Sequence, residues 1–164
     1  MKTKKVLIVD DDIDVITVIE TILKKEGYTV ISANDKVEGK KLALKEKPDL
    51  AILDVMMTTH YEGFELAKDI IEDPRLAGMK VLMQTSIDVM TTTNPSVQAM
   101  AREYRKDESY KELHVLLIKD ILSGNAGIDY RAENGDSIWL PVDGFLRKPA
   151  DAKKLLPEMK RVLS

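Results

Sequence analysis

Three aspartates, Asp10, Asp11 and Asp12, stand directly behind the apolar run Val6-Leu7-Ile8-Val9. A fourth, Asp54, follows a second such run, Leu50-Ala51-Ile52-Leu53. Thr85 follows Val81-Leu82-Met83-Gln84, and Lys148 follows Phe145-Leu146-Arg147. If these runs are strands of one parallel sheet, three carboxylates, a hydroxyl and an ammonium converge outside their carboxyl ends, where open α/β sheets gather ligands. Crowded carboxylates repel one another unless a cation joins them, and an oxygen-only donor set favours a hard ion such as Mg²⁺. One carboxylate can then act as a nucleophile toward phosphorus, while metal and ammonium neutralise the phosphoryl oxygens and Thr85 donates a hydrogen bond. Each residue also has a plain structural explanation. Asp12 reads as a helix N-cap, a hydroxyl at a strand end is common, and Lys148-Pro149 can simply mark a turn. Their joint placement on successive strand ends favours the chemical reading.

The elements that must position these groups are legible. Short, continuous apolar runs bounded by charges suit strands buried on both faces, and Thr29–Ala33 reads as a further strand. After Asp12, the spacing of Val15, Ile16, Ile19, Ile22 and Leu23 predicts a helix, with Gly27 placed for a left-handed C-terminal cap. A second helix is expected over Lys36–Lys47. A third carries Phe64, Leu66, Ala67, Ile70 and Ile71 and ends before Pro74. The stretch from Asp151 to Leu163 is helical, with Pro157 either kinking it or lying in its first turn. Strand alternating with helix implies right-handed crossovers and a doubly wound α/β sheet.

From Ser86 to Pro141 this rhythm breaks, because the distance from Thr85 to Lys148 is too long for one loop–helix–loop connection. Val97, Met100, Ala101 and Tyr104, followed by Leu113, Leu116, Leu117, Ile118 and Leu122, read as helical. Asn134-Gly135 is a tight-turn pair. The expectation is an accessory helix and hairpin anchored by Trp139. The window holds 6 Lys/Arg against 9 Asp/Glu, so the chain's net charge of -3 resides there and it is no basic arm.

Composition excludes several classes. With no Cys, there are no disulfides, zinc–thiolate sites, iron–sulfur clusters or thiol catalysis. His60 and His114 are the only histidines, too few for a multi-histidine metal site. The charge balance argues against nucleic-acid binding by bulk charge. No apolar run reaches the roughly 7–15 residues of a secretory signal or the roughly 20 of a membrane span, so cytoplasm is the expected location and no membrane insertion is expected.

The blocks Val6-Leu7-Ile8-Val9-Asp10-Asp11-Asp12, Pro48-Asp49-Leu50-Ala51-Ile52-Leu53-Asp54, Val81-Leu82-Met83-Gln84-Thr85-Ser86 and Gly144-Phe145-Leu146-Arg147-Lys148-Pro149 resemble, in this order, the receiver domain of two-component response regulators. The resemblance covers residues 4 to 86 and 142 to 163. It implies a single domain over 1–164, a flavodoxin-like five-stranded parallel sheet in order 2-1-3-4-5, and an insertion at about 87–141 between strands four and five. Carried over position by position, it makes Asp54 the phosphoacceptor. Asp10, Asp11, Asp54 and the backbone carbonyl of Met56 become Mg²⁺ ligands. Thr85 becomes the switch hydroxyl, Lys148 the phosphoryl-contacting ammonium, and Phe145 the aromatic that moves inward on activation. Pro149 would follow a cis peptide bond.

The resemblance further implies a histidine kinase or histidine phosphotransfer protein as phosphoryl donor and a receiver rather than a turnover enzyme. The chain has no room for an appended output domain, so output is expected through a protein partner or phosphorelay. The face after strand four serves dimerisation or output in receivers.

Some positions depart from the family. Thr58 stands where a Pro is usual, and the loop from Thr58 to Gly63 is one residue longer. The positions two beyond the acceptor and two beyond the switch hydroxyl are Met56 and Ile87. Both are apolar, which predicts a long-lived acyl phosphate. His60 reads as a loop residue and His114 as structural. Two other readings compete. One is a haloacid-dehalogenase-type phosphatase with Asp10 as nucleophile, which needs an acidic strand after Lys148 and leaves Asp54 idle. The other is a receiver-like interaction module that is not phosphorylated.

Overall fold

The computed structural model describes residues 3–55, 62–131 and 134–164. The chain divides into two compact units, Met1–Ser86 with Leu146–Ser164, and Ile87–Phe145.

The first unit is built on strands β1 (Lys5–Val9), β2 (Thr29–Ala33), β3 (Leu50–Asp54) and β4 (Lys80–Thr85). Val6 to Val9 and Leu50 to Leu53 are completely buried, which is why these runs are apolar at every position rather than alternating. β1 pairs in parallel with β2 and β3, and β3 with β4, in the register Val6↔Leu50 and Ile52↔Leu82. The five-stranded sheet is closed at its far edge by the last strand of the chain, giving the order β2-β1-β3-β4-β9, with β9 at Gly144–Arg147. This is the doubly wound sheet expected, with the insertion falling after the fourth strand.

Helix α1 (Ile13–Lys25) starts where Asp12 accepts a hydrogen bond from the Asp14 amide. It ends with Gly27 at φ +93, where the Gly27 amide bonds the Lys24 carbonyl and the Tyr28 amide the Leu23 carbonyl. That pair of bonds is the Schellman arrangement, which needs a left-handed residue at this point. α1 buries Ile16, Ile19 and Leu23 against Ile8, Ile52, Leu82, Leu155 and Met159. Each fully buried side chain of this kind contributes about 1.5–3 kcal/mol. Helix α2 (Lys36–Glu46) and helix α3 (Glu62–Glu72) lie side by side, tied by Lys36 to Glu65 at 2.9 Å, while Lys40 reaches Asp73 just beyond α3 at 3.0 Å. A short 3₁₀ turn at Pro74–Leu76 follows α3, as Pro74 requires. Helix α5 (Ala152–Leu163) starts at the Asp151 cap and carries Pro157 in its interior rather than in its first turn.

The second unit is a sheet in the order β5-β6-β7-β8, made of β5 (Val89–Thr92), β6 (Val115–Asp120), β7 (Ala126–Arg131) and β8 (Ser137–Val142). Helix α4 (Val97–Arg105) connects β5 to β6, which pair in parallel; β6, β7 and β8 are antiparallel. The helical expectation is correct for Val97 to Tyr104 and wrong for Leu113 to Leu122. Val115 to Ile118 form a central strand hydrogen-bonded on both sides, and an interior strand buries consecutive residues regardless of helical spacing. Leu113 and Leu122, expected on an apolar helix face, are exposed. Trp139 packs with Val97, Ala101, Leu116 and Ile118, its ring lying where a side chain on Gly127 would stand. The Arg105 guanidinium donates to the carbonyls of Tyr110, Leu113 and Asp129 and pairs with the Asp129 carboxylate at 3.1 Å, fastening the end of α4 to β7.

Candidate functional site

β1 and β3 are neighbours in register, so the residues that follow them emerge side by side at the carboxyl edge of the sheet. Asp10 is fully buried and Asp54 nearly so, while Asp11 is exposed. One carboxylate oxygen from each of the three lies within 4.8 Å of the other two. β9 delivers Lys148 to the same edge. Its Nζ donates to Asp54 Oδ2 at 2.8 Å and lies 3.2 Å from Asp10 Oδ2. The Lys148 amide also donates to the Thr85 carbonyl at 2.8 Å, so the ends of β4 and β9 are joined beside the acids. The Lys148–Pro149 bond is cis.

The electrostatics follow from burial and spacing. Burial is the largest influence on Asp10 and raises its carboxyl above the ordinary aspartate value, and the Asp11 charge adds to the rise. The Asp12 amide, bonded to Asp10 Oδ1 at 2.9 Å, and the Lys148 ammonium act in the opposite direction without cancelling it. Burial likewise works against the Lys148 ammonium, but the Asp54 and Asp10 carboxylates outweigh it and hold its pKa above that of a free lysine. Asp10 Oδ2, within ion-pair distance of Lys148, has no partner in hydrogen-bonding geometry among the described residues. A buried carboxylate oxygen in that state, within reach of two more carboxylates, is what a hard divalent cation satisfies. The donor set therefore fits Mg²⁺.

The predicted site residues divide cleanly. Asp10, Asp11, Asp54 and Lys148 come together, and Thr85, buried at the end of β4, joins them through its backbone. Phe145 is buried in β9 and belongs to the second unit's range, as does Ile87. Met56, Thr58 and His60 lie outside the described residues. His114 lies in the second unit, where its carbonyl accepts from the Arg131 amide beside β6 and β7. Helix α5 stands where the phosphatase alternative needs an acidic strand after Lys148.

Gly63 is the site residue that spacing alone did not single out. In the first turn of α3 it packs on the Asp54 carbonyl so closely that a Cβ would overlap the Asp54 and Val55 backbone. Its only signal in sequence is a glycine inside a helical pattern, a position that helix propensity disfavours and that therefore calls for a packing reason. Nearby, Glu62 Oε1 accepts from the Lys36 amide at 3.0 Å, so α3 caps α2.

Comparison with known proteins covers much of this frame. A family model for the response regulator receiver domain matches residues 6–117. The alkaline phosphatase synthesis transcriptional regulatory protein PhoP of Bacillus subtilis is 39% identical over 85 residues, 52% of this chain and 34% of PhoP. Protein PilH of Pseudomonas aeruginosa is 28% identical over 120 residues, 73% of this chain and 98% of PilH. The chain spans 34% of PhoP and 64% of a probable transcriptional regulator ycf27 of Cyanophora paradoxa. The solved chemotaxis protein CheY4 of Vibrio cholerae, 24% identical, superposes with a TM-score of 0.62 over 99% of this chain and 100% of its own, a likeness of fold. The family match runs on past Ser86 into the second unit and stops before Lys148, whereas the resemblance read from motifs skips the insertion and resumes at 142.

Proposed function

The chain belongs to the response regulator receiver family, and from that membership we propose that it accepts a phosphoryl group on Asp54 from a histidine kinase or histidine phosphotransfer protein and signals by binding a protein partner. The observation that carries this reading is the convergence of three carboxylates within 4.8 Å with an ammonium 2.8 Å from Asp54. In the transfer, an Asp54 carboxylate oxygen forms a bond to phosphorus as the phosphorus–nitrogen bond to the donor histidine breaks, the electron pair staying on that nitrogen. Lys148 already neutralises Asp54 and would follow the charge onto the phosphoryl oxygens. Asp10, Asp11 and Asp54, with the Met56 carbonyl, would hold Mg²⁺, which when bound supplies the charge that lets an anionic donor approach an acid cluster. Thr85 would donate a hydrogen bond from its hydroxyl to a phosphoryl oxygen, and Phe145 would follow that movement as the switch aromatic. In this reading the protein consumes one phosphoryl group per activation and is no turnover enzyme.

Incubation with acetyl phosphate and Mg²⁺, read by intact-mass spectrometry, tests the proposal. Wild type is expected to gain the mass of one phosphoryl group and Asp54→Asn none. A wild type that gains nothing, or an Asp54→Asn variant labelled as fully, overturns it.

A further inference from the structure

Gln84, the last residue before Thr85 in β4, is 1% exposed, and its Nε2 has no hydrogen-bond partner among the described residues. Leu82, two positions earlier and so on the same face of the strand, packs with Ile16 and Ile19 of α1, which sets the Gln84 side chain facing α1 as well. There Gln84 lines a cleft of about 430 Å³ with Val15, Val18, Ile19, Pro149 and Ala150. The cleft lies wholly within the first unit.

A cleft of this size, with a mostly apolar wall and one buried amide in its lining, has the make-up of a small-molecule site. The buried amide N–H₂ loses its hydration on folding and gains no partner among the described residues, so an acceptor supplied from outside is stabilising there in a way it is not on an open surface. The two charged residues of the wall, Asp14 and Lys148, are opposite in sign, and the Lys148 ammonium is already held by Asp54 and Asp10. Nothing in the lining therefore favours an ion over a neutral molecule.

We propose that this cleft binds a small uncharged molecule whose carbonyl oxygen accepts a hydrogen bond from Gln84 Nε2 while its apolar body lies against Val15, Val18 and Pro149. The unphosphorylated chain without added metal is the form in which this binding is observed.

The test titrates the ¹⁵N-labelled full chain with cyclohexyl methyl ketone, following the side-chain amide signals of Gln84. The expected result is a saturable downfield shift of the Gln84 Nε2 protons. Affinity should fall about fivefold in Gln84→Met, the effect of one neutral hydrogen bond. Val18→Glu, on an exposed helix position, places a charge in the apolar wall and should weaken binding further still. Should Gln84→Met fail to fold, the wild-type shift compared with Val18→Glu decides the matter alone. No saturable shift at Gln84, equal affinity in Gln84→Met, or shifts scattered over the surface would each overturn the proposal; the first is the result expected if solvent water already satisfies the amide.

Discussion

Lys148 Nζ stands 2.8 Å from Asp54 Oδ2, across 94 positions of sequence, and the same ammonium is 3.2 Å from Asp10 Oδ2. One cation thus compensates both buried acids of the cluster. Replacing it by a neutral chain of similar length, Lys148→Met, leaves two buried carboxylates facing each other. The variant is expected to lose about 3 kcal/mol of stability at neutral pH, and Asp54→Asn in the same chain should restore much of it. Urea unfolding of the two single variants and the double variant checks this; strictly additive losses would contradict it.

In the proposed reading Mg²⁺ would bind the folded acid cluster and not the unfolded chain, so it is expected to stabilise the protein. At a hundredfold excess over its Kd the gain is about 2.7 kcal/mol. Asp11→Asn should lose most of that gain while its metal-free stability stays near wild type, because Asp11 is exposed. Thermal melts with and without Mg²⁺ provide the comparison, and an Asp11→Asn melt that rises as far as wild type would count against this ligand set.

Gly63→Ala forces α3 away from the Asp54 backbone, since the added methyl has nowhere to go except into main-chain atoms. A loss of about 2–3 kcal/mol is expected from overpacking, together with slower labelling of Asp54 by acetyl phosphate. Gly78→Ala serves as a contrast, because a Cβ there meets open space and the penalty comes only from its φ of +91. Equal effects on labelling from the two substitutions would refute the packing argument.

Asp73 is held below the ordinary aspartate range first by the Arg75 guanidinium, at 2.8 and 3.0 Å, then by the Arg75 amide and by Lys40 at 3.0 Å. A carboxyl whose folded pKa is depressed binds protons less readily folded than unfolded. Its contribution is therefore present above the unfolded value of 3.8 and disappears as pH falls below it toward the folded value. Wild type should exceed Asp73→Asn in stability at neutral pH, with the gap closing on acidification below 3.8. Chemical denaturation across that range measures it; a gap that widens in acid would reverse the sign and exclude this account.

Neither Met56 nor Ile87 has a side chain able to orient a water toward phosphorus. Purified phosphoprotein is expected to keep its label, and Met56→Glu to lose it at least about tenfold faster by supplying a general base. Timed intact-mass measurements without any phosphatase follow the decay, and prompt loss from wild type would rule the expectation out.

The separate elements were legible because each leaves a local mark. Val6 to Val9 and Leu50 to Leu53 are apolar at every position because both faces of a central parallel strand are covered, and Asp12 and Gly27 stand at the two ends of α1 for reasons of backbone hydrogen bonding. The same logic misread Leu113 to Leu122. A short apolar run is compatible with a buried helix or an interior strand, and only pairing with β5 and β7 decides between them.

For the candidate site, sequence alone determined which residues stand at strand ends: Asp10, Asp11, Asp54, Thr85 and Lys148. Their separation along the chain says nothing of distance, because that depends on strand order, and strand order is a property of the whole sheet. The tertiary structure decided that β9 crosses back beside β4, that a single ammonium reaches both buried acids, that Gly63 must lack a side chain to let α3 meet Asp54, and that the Gln84 amide is left without a partner among the described residues. Contacts between residues far apart in sequence arise only when the sheet assembles.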